Sequence, residues 1–227
     1  MSTIATGTWH ASALSVARSS ALARVPALRA THAPAGALVN VLMRLAILAM
    51  SVDAIVNGAD QRFAGKALAP RDIIISFGFA MLFPLFWRLR YRGRQWREYP
   101  WWFDTLYLSL FAFDMAGNSL GLYNAFPGAF NNVTHTYGPA ALTIVLAGAF
   151  GLTTLEAMGL ATMLHVVLQV EELYGDKFLH THNFLGAEAE YEQFVGGLLG
   201  VLVAGGVWYA SGRLREKRAK RLRRPTR

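Results

Sequence analysis

The chain has 227 residues, 54% hydrophobic and only 16% charged, yet its formal net charge is +8. A domain folded in water carries about 25% charged residues, so this composition argues against an ordinary soluble domain. The absence of cysteine excludes disulfides, iron–sulfur clusters and thiolate zinc sites. The basic residues punctuate apolar runs of bilayer length, a pattern of membrane topology and not of nucleic-acid binding.

Residues 1–36 are rich in Ala, Ser and Thr, with three Arg and no acidic residue. Transit peptides share that composition, but it is read here as a disordered cytoplasmic tail. No secretory signal is read ahead of the first span. A membrane helix needs ~20 predominantly apolar residues. Six such segments follow within a transmembrane domain over residues 37–210, at about 37–57, 72–87, 102–122, 133–150, 153–173 and 191–209. Only Gly151 and Leu152 separate the fourth from the fifth, which requires a tight turn. Residues 211–227 form a basic cytoplasmic tail. The expected fold is an all-α, polytopic transmembrane bundle of about six spans.

Six spans place three basic clusters on one side: Arg18, Arg24 and Arg29; Arg88, Arg90, Arg92, Arg94 and Arg97; and the tail from Arg213 to Arg227. The other side holds Arg62, Lys66, Arg71 and Lys177. The positive-inside rule makes the rich side cytoplasmic, with both termini there and the protein in the inner or plasma membrane. Trp87, Trp96, Trp101 and Trp102 flank the central Arg loop, where aromatic rings favour the headgroup level. The C-terminal run also meets anionic lipid.

Ionisable residues inside spans are costly and turn toward the bundle interior. Asp114 and Asn118 share a face of the third span with Tyr107 and Gly121, and His165, Gln169 and Glu172 form one stripe of the fifth. Asn131, Asn132 and His135 open the fourth span, followed by Pro139; Asp53 and Asn57 lie in the outer third of the first; Glu188 and Glu192 begin the sixth. Most of these fall in the outer half. Arg44 and Glu156 lie nearer the cytoplasm and are expected to snorkel there. The depth bias predicts an outward-facing polar pocket lined by spans three to six, with span one beside them. Gly196, Gly200 and Ala204 repeat every four residues below Glu192, spacing that lets helices approach closely in lipid.

Three functional readings stay open. The first is binding or processing of a lipid or small amphiphile, with His165 and Glu172 as ligand or acid/base pair and His135 and Asp114 orienting them. As a metal site it would draw on His135, His165, Glu172, His180 and His182, nitrogen and oxygen donors of the kind that hold zinc. The second is ion- or proton-coupled transport. The third is a non-catalytic scaffold whose polar network fixes helix register. Whether the protein is an enzyme is left open. The expected partners are membrane lipids and a second copy of the chain.

In the second half, Asn131-Asn132-Val133-Thr134-His135 stands where an Asp-x-x-x-His helix opening would stand. A glutamate-bearing helix, His165 to Tyr174 with Glu171 and Glu172, follows, and then Asp176. Glu190-Tyr191-Glu192 leads into a glycine-rich helix with Gly196, Gly197 and Gly200. On these motifs, residues 101–206 resemble the YjdF-like family of bacterial inner-membrane proteins, a family with no established activity. Asn131 replaces the family's aspartate, and Glu stands where it more often has Asp. The resemblance implies a helical bundle and directs attention to His135, Glu172 and Glu192.

Overall fold

A computed structural model describes residues 33–63, 71, 73–179 and 186–222. Among them every regular element is helical and no strand occurs. Helix α1 spans Ala33–Val56. Residues 73–90 form one rod, a π-helical stretch Ile75–Phe79 continuing directly into α2, Ala80–Arg90. Then come α3 (Trp101–Ser119), the single turn α4 (Leu122–Ala125), α5 (Pro127–Ala149), α6 (Thr154–Leu179) and α7 (Ala187–Leu222). A helix thus covers most of the described part of each of the six apolar segments. Two of them, over Pro34–Val56 and Ala187–Lys217, are long and apolar enough to cross a membrane, with mean hydropathies of 1.9 and 1.6.

Several boundaries differ from expectation. α3 stops at Ser119 because Gly121 takes a left-handed φ of 68°, a conformation glycine adopts without penalty. α5 starts at Pro127, six residues before the expected start, since a proline is well placed in a first turn. Asn131, Asn132 and His135 therefore lie inside the helix, and Pro139 is interior to it. The turn between α5 and α6 is tight as expected. Gly151 is left-handed at φ 68°, and the Leu152 N–H reaches back to the Leu146 carbonyl at 3.4 Å. α6 then opens with a reciprocal cap: Thr153 N–H donates to Glu156 Oε2 (2.8 Å) and Glu156 N–H to Thr153 Oγ1 (3.3 Å). Glu156 is held in this cap and does not snorkel.

α5 is the central helix, packed against α3, α6 and most extensively α7. α1 packs along α3. Gly196 and Gly200 of α7 lie on Thr136 of α5, while Gly148 of α5 sits under Trp208 of α7, so the two helices run parallel. A side chain at Gly200 would place its Cβ 2.2 Å from the Thr136 carbonyl oxygen. Gly197 and Gly205 face His165 and Met158 of α6, which therefore runs antiparallel to α7. One end of the bundle carries the Arg88–Arg97 segment, the α5–α6 turn and the basic part of α7. An aromatic core of Phe83, Trp87, Tyr99 and neighbouring rings ties that end together.

Beside the apolar core, large apolar side chains also cover the outside while several polar ones lie inside. Leu42, Leu45 and Val52 of α1, Val167 and Leu168 of α6, and Leu202, Val203 and Val207 of α7 all point outward. Asn40, Ser51, Asp104, Asn118, Thr143, His165 and Gln193 are buried.

The junction of α1, α2 and α3 is held by a charged group. Pro84 has no N–H to give the carbonyl four residues back, and Arg44 Nη1 donates to that Ala80 carbonyl at 2.8 Å. Arg44 also donates to Asn40 Oδ1 (3.1 Å) and, through Nη2, to Asp104 Oδ2 (2.7 Å). Tyr99 OH donates to the same Asp104 oxygen at 2.8 Å. Burial, with the Asp104 carboxylate beside it, holds the Tyr99 phenol above its usual range, so it stays a donor. Arg44 thus turns into the bundle, because a proline-freed carbonyl and a buried carboxylate await it there. Asp104→Ala leaves the guanidinium without its counter-charge and is expected to cost about 3 kcal/mol. Unfolding of the purified protein in detergent should show that loss, with much of it recovered in the Arg44→Met/Asp104→Leu double variant.

Candidate functional site

The far end of the bundle, remote from the arginine-rich segment, holds most of the residues the sequence pointed to. They fall into three groups. In the first, α6 presents His165, Gln169 and Glu172 along one face toward α5 and α7. Gln169 Nε2 lies 3.0 Å from His135 Nδ1 and donates to Glu172 Oε2 at 3.1 Å. Glu172 Oε1 is 3.8 Å from His135 Nε2. Glu172 therefore meets His135 and not His165. Seven residues along a helix are about 10.5 Å, too far for the two α6 side chains to pair, and His135 of α5 lies within reach.

His165 sits deeper. It is 3% exposed, its ring stacked on Phe194 (6.2 Å between centroids, 8° between planes) and 5.8 Å from the His135 ring. Its Nε2 lies against Gly197, where an added Cβ would come within 2.2 Å. Gln193, on α7, is 1% exposed. Both His165 Nε2 and Gln193 Oε1 are buried without a hydrogen-bond partner.

The second group is built on α3. Asp114 accepts from Tyr123 OH at 2.5 Å and pairs with Arg71 Nη1 at 3.1 Å. Tyr123 also reaches Thr134 Oγ1 (3.4 Å), one residue before His135. Asn118, 2% exposed, donates to the Asp114 carbonyl at 3.2 Å. Tyr107 is not part of it: its hydroxyl donates to the Phe79 carbonyl at 2.8 Å. In the third group Asn132 Nδ2 donates to Glu192 Oε2 at 3.1 Å, directly above the contact of Gly196 with Thr136. Asn131 is half-buried beside it, its carbonyl accepting from Thr134 Oγ1.

Together α5, α6 and α7 gather one polar cluster, graded in depth like a funnel: Glu192 exposed and Glu172 partly exposed at the end, His135 and Gln169 partly buried next, and His165 and Gln193 fully buried. Asp53 and Asn57 stand apart. Asp53 accepts from Asn57 (2.8 Å) and from Arg62 (2.9 Å), which also donates to the Ser119 carbonyl at 2.5 Å. This group pins α1 to the end of α3, so the first span does not line the funnel. His180 and His182 lie outside the described residues. Among the described residues no three His, Asp or Glu side chains come together as a metal-ion site.

Sequence reasoning passed over Gln193, Tyr123 and Asp104. Gln193 had a signal: Glu190, Gln193 and Gly197 recur at spacings of three and four, a second stripe beside that of Glu192, Gly196 and Gly200. Tyr123 had none, because it enters through α4, a single turn. No family model matches the chain, and no curated protein or solved structure matches it either.

Gly197→Ala forces the imidazole of His165 to move and is expected to cost about 1–3 kcal/mol. Gly206→Ala, whose Cβ would meet nothing within 4 Å, should leave the melting temperature unchanged or slightly raised. Thermal unfolding of the two variants side by side checks the α6–α7 contact.

Proposed function

We propose that the chain is a six-span protein of the cell membrane, with both termini cytoplasmic, that binds or processes a lipid or small amphiphile in the funnel between α5, α6 and α7. One observation carries this reading: the bundle turns many large apolar side chains outward and buries polar ones inside, among them Thr143, His165 and Gln193 on these three helices. A polar interior under an apolar exterior is the arrangement that lipid favours. The two helices that qualify as spans are only 22% and 28% buried over their most apolar windows, unlike core helices of a soluble domain. α7, with 36 residues, is about 54 Å long, enough to cross ~30 Å of hydrocarbon and carry Arg213, Arg215 and Lys217 beyond it. Arg213 and Arg215 fold back over the Tyr209 and Trp208 rings at 5.2 and 5.4 Å, an interfacial pairing. Kinship with the YjdF-like family belongs to the same reading, and His135, Glu172 and Glu192 are the residues on which both rest.

The cysteine-free sequence allows a direct topology test. In intact cells a membrane-impermeant maleimide should label Asn124→Cys and spare Arg92→Cys until the membrane is opened. Labelling of both, or of Arg92→Cys alone, overturns the arrangement.

The funnel reading is tested by mass spectrometry of the detergent-purified protein. A co-purifying small amphiphile is expected in the wild type and lost in His135→Ala and Glu172→Gln, with melting temperatures within about 4 °C of wild type. Variants that melt much lower while still carrying the molecule would favour the scaffold reading. Proton uptake into liposomes, abolished in both, would favour transport.

A further inference from the structure

We infer that the turn after α2 binds the phosphate of an anionic phospholipid through Arg88, Arg90 and Arg94. This site rests on the membrane placement proposed above and stands apart from the cluster between α5, α6 and α7.

Residues 88–98 carry five arginines and one carboxylate, Glu98. Like charges repel, yet three of these arginines are gathered at one turn. The guanidinium carbons of Arg90 and Arg94 each lie 5.5 Å from the centre of the Tyr91 ring, whose π face favours a cation. Arg88 Nη1 donates to the Arg94 carbonyl at 2.8 Å, which brings a third guanidinium to the same place. The chain reverses there at Gly93, with a left-handed φ of 88°. Arg94 has Glu98 at 3.3 Å, while Arg90 forms no ion pair among the described residues. One carboxylate against three guanidiniums leaves the turn cationic. A guanidinium fork suits the phosphate oxygens, which accept two parallel N–H bonds.

The surroundings of the turn point to a lipid as the source of the phosphate. Leu85, Phe86 and Leu89 of α2 are each about half exposed. Leu85 stands three residues before Arg88 and Phe86 four before Arg90, so each is the arginine's neighbour on the helix surface. Trp96, also exposed, packs on Trp87 with ring centres 6.0 Å apart, and such rings favour the head-group level. A phosphate seated on the guanidiniums therefore has an apolar face beside it for acyl chains. Free phosphate or a nucleic acid leaves that face uncovered. The arginines of α7 are placed differently. Arg213 donates to its own helix at Tyr209 OH and Arg215 at Ser211, so part of each fork is already used.

The test uses the full-length protein. Membrane pellets are first washed at high pH; release of the protein by the wash removes the membrane placement and this site with it. For protein that stays inserted, native mass spectrometry in a neutral detergent follows titration with phosphatidylglycerol, phosphatidylcholine and oleate. Inorganic phosphate and a single-stranded oligonucleotide serve as competitors. Phosphatidylglycerol is expected to bind about tenfold or more tighter than phosphatidylcholine or oleate. Arg90→Gln/Arg94→Gln should weaken it by about tenfold. Arg213→Gln/Arg215→Gln removes the same charge and should change it by less than about twofold. All four side chains are exposed, so both variants should melt as the wild type does. If the first melts lower, Arg90→Gln alone, which breaks no hydrogen bond or ion pair among the described residues, carries the same expectation of weaker binding. Unchanged affinity in the turn variants, or an equal loss in the α7 variant, overturns the site. Phosphatidylcholine or oleate binding as tightly as phosphatidylglycerol overturns the anionic phospholipid as ligand. Displacement of phosphatidylglycerol by millimolar phosphate or by the oligonucleotide overturns the lipid as its source. In each of these last cases the membrane placement stands.

Discussion

The close approach of α7 to α5 governs the arrangement of everything around it. Gly196 and Gly200 let the α7 backbone lie on Thr136 with no side chain between. In the membrane placement proposed above, where helices gain little from hiding apolar surface, contact of this kind supplies much of their association. Once α7 is fixed, its neighbouring stripe through Gln193, Gly197 and Gly205 faces α6. The imidazole of His165 fits only because residue 197 has no Cβ. The packing glycines and the polar cluster are therefore one construction: the first stripe sets the distance and the second makes the room that the His165 ring fills.

Backbone carbonyls at three helix ends or interruptions are taken by side chains from elsewhere in the chain. Pro84 frees the Ala80 carbonyl for Arg44. The last turn of α3 offers Ser119 to Arg62, and that of α5 offers Ala149 to Tyr91 at 3.0 Å. Within α5, Thr143 Oγ1 donates to the Pro139 carbonyl four residues back at 2.8 Å. A buried carbonyl left unmade costs energy, so the first three bonds are structural ties between separate segments.

Charge is divided between the two ends. Arginines and tryptophans crowd the end with the Arg88–Arg97 segment, where Arg94 pairs with Glu98 at 3.3 Å and the Trp87, Trp96 and Tyr99 rings cluster. Carboxylates dominate the end where the funnel opens. The charged groups on α1 and α3 are consumed in pairs, Arg44 with Asp104, Arg62 with Asp53 and Arg71 with Asp114.

Much of this was legible in the sequence. Apolar segment lengths gave the helices, and spacings of four and seven placed His165, Gln169 and Glu172 on one face, because helical periodicity is a local property. The small-residue stripe of α7 and the tight turn at Gly151 were readable for the same reason. The partners across helices were not readable, since periodicity gives a side chain's direction but not what stands opposite it. Glu172 meets His135 because α5 and α6 are antiparallel at one register, and Arg44 turns inward because Pro84 on another helix frees a carbonyl at its level. Gln193 becomes part of the cluster because α7 lies between α5 and α6 and shows a different stripe to each. The sequence by itself determined which residues are helical, which stretches are apolar and which polar groups must find partners. Only the tertiary structure decided which partners they find, because that choice depends on rotation and register between helices far apart in the chain.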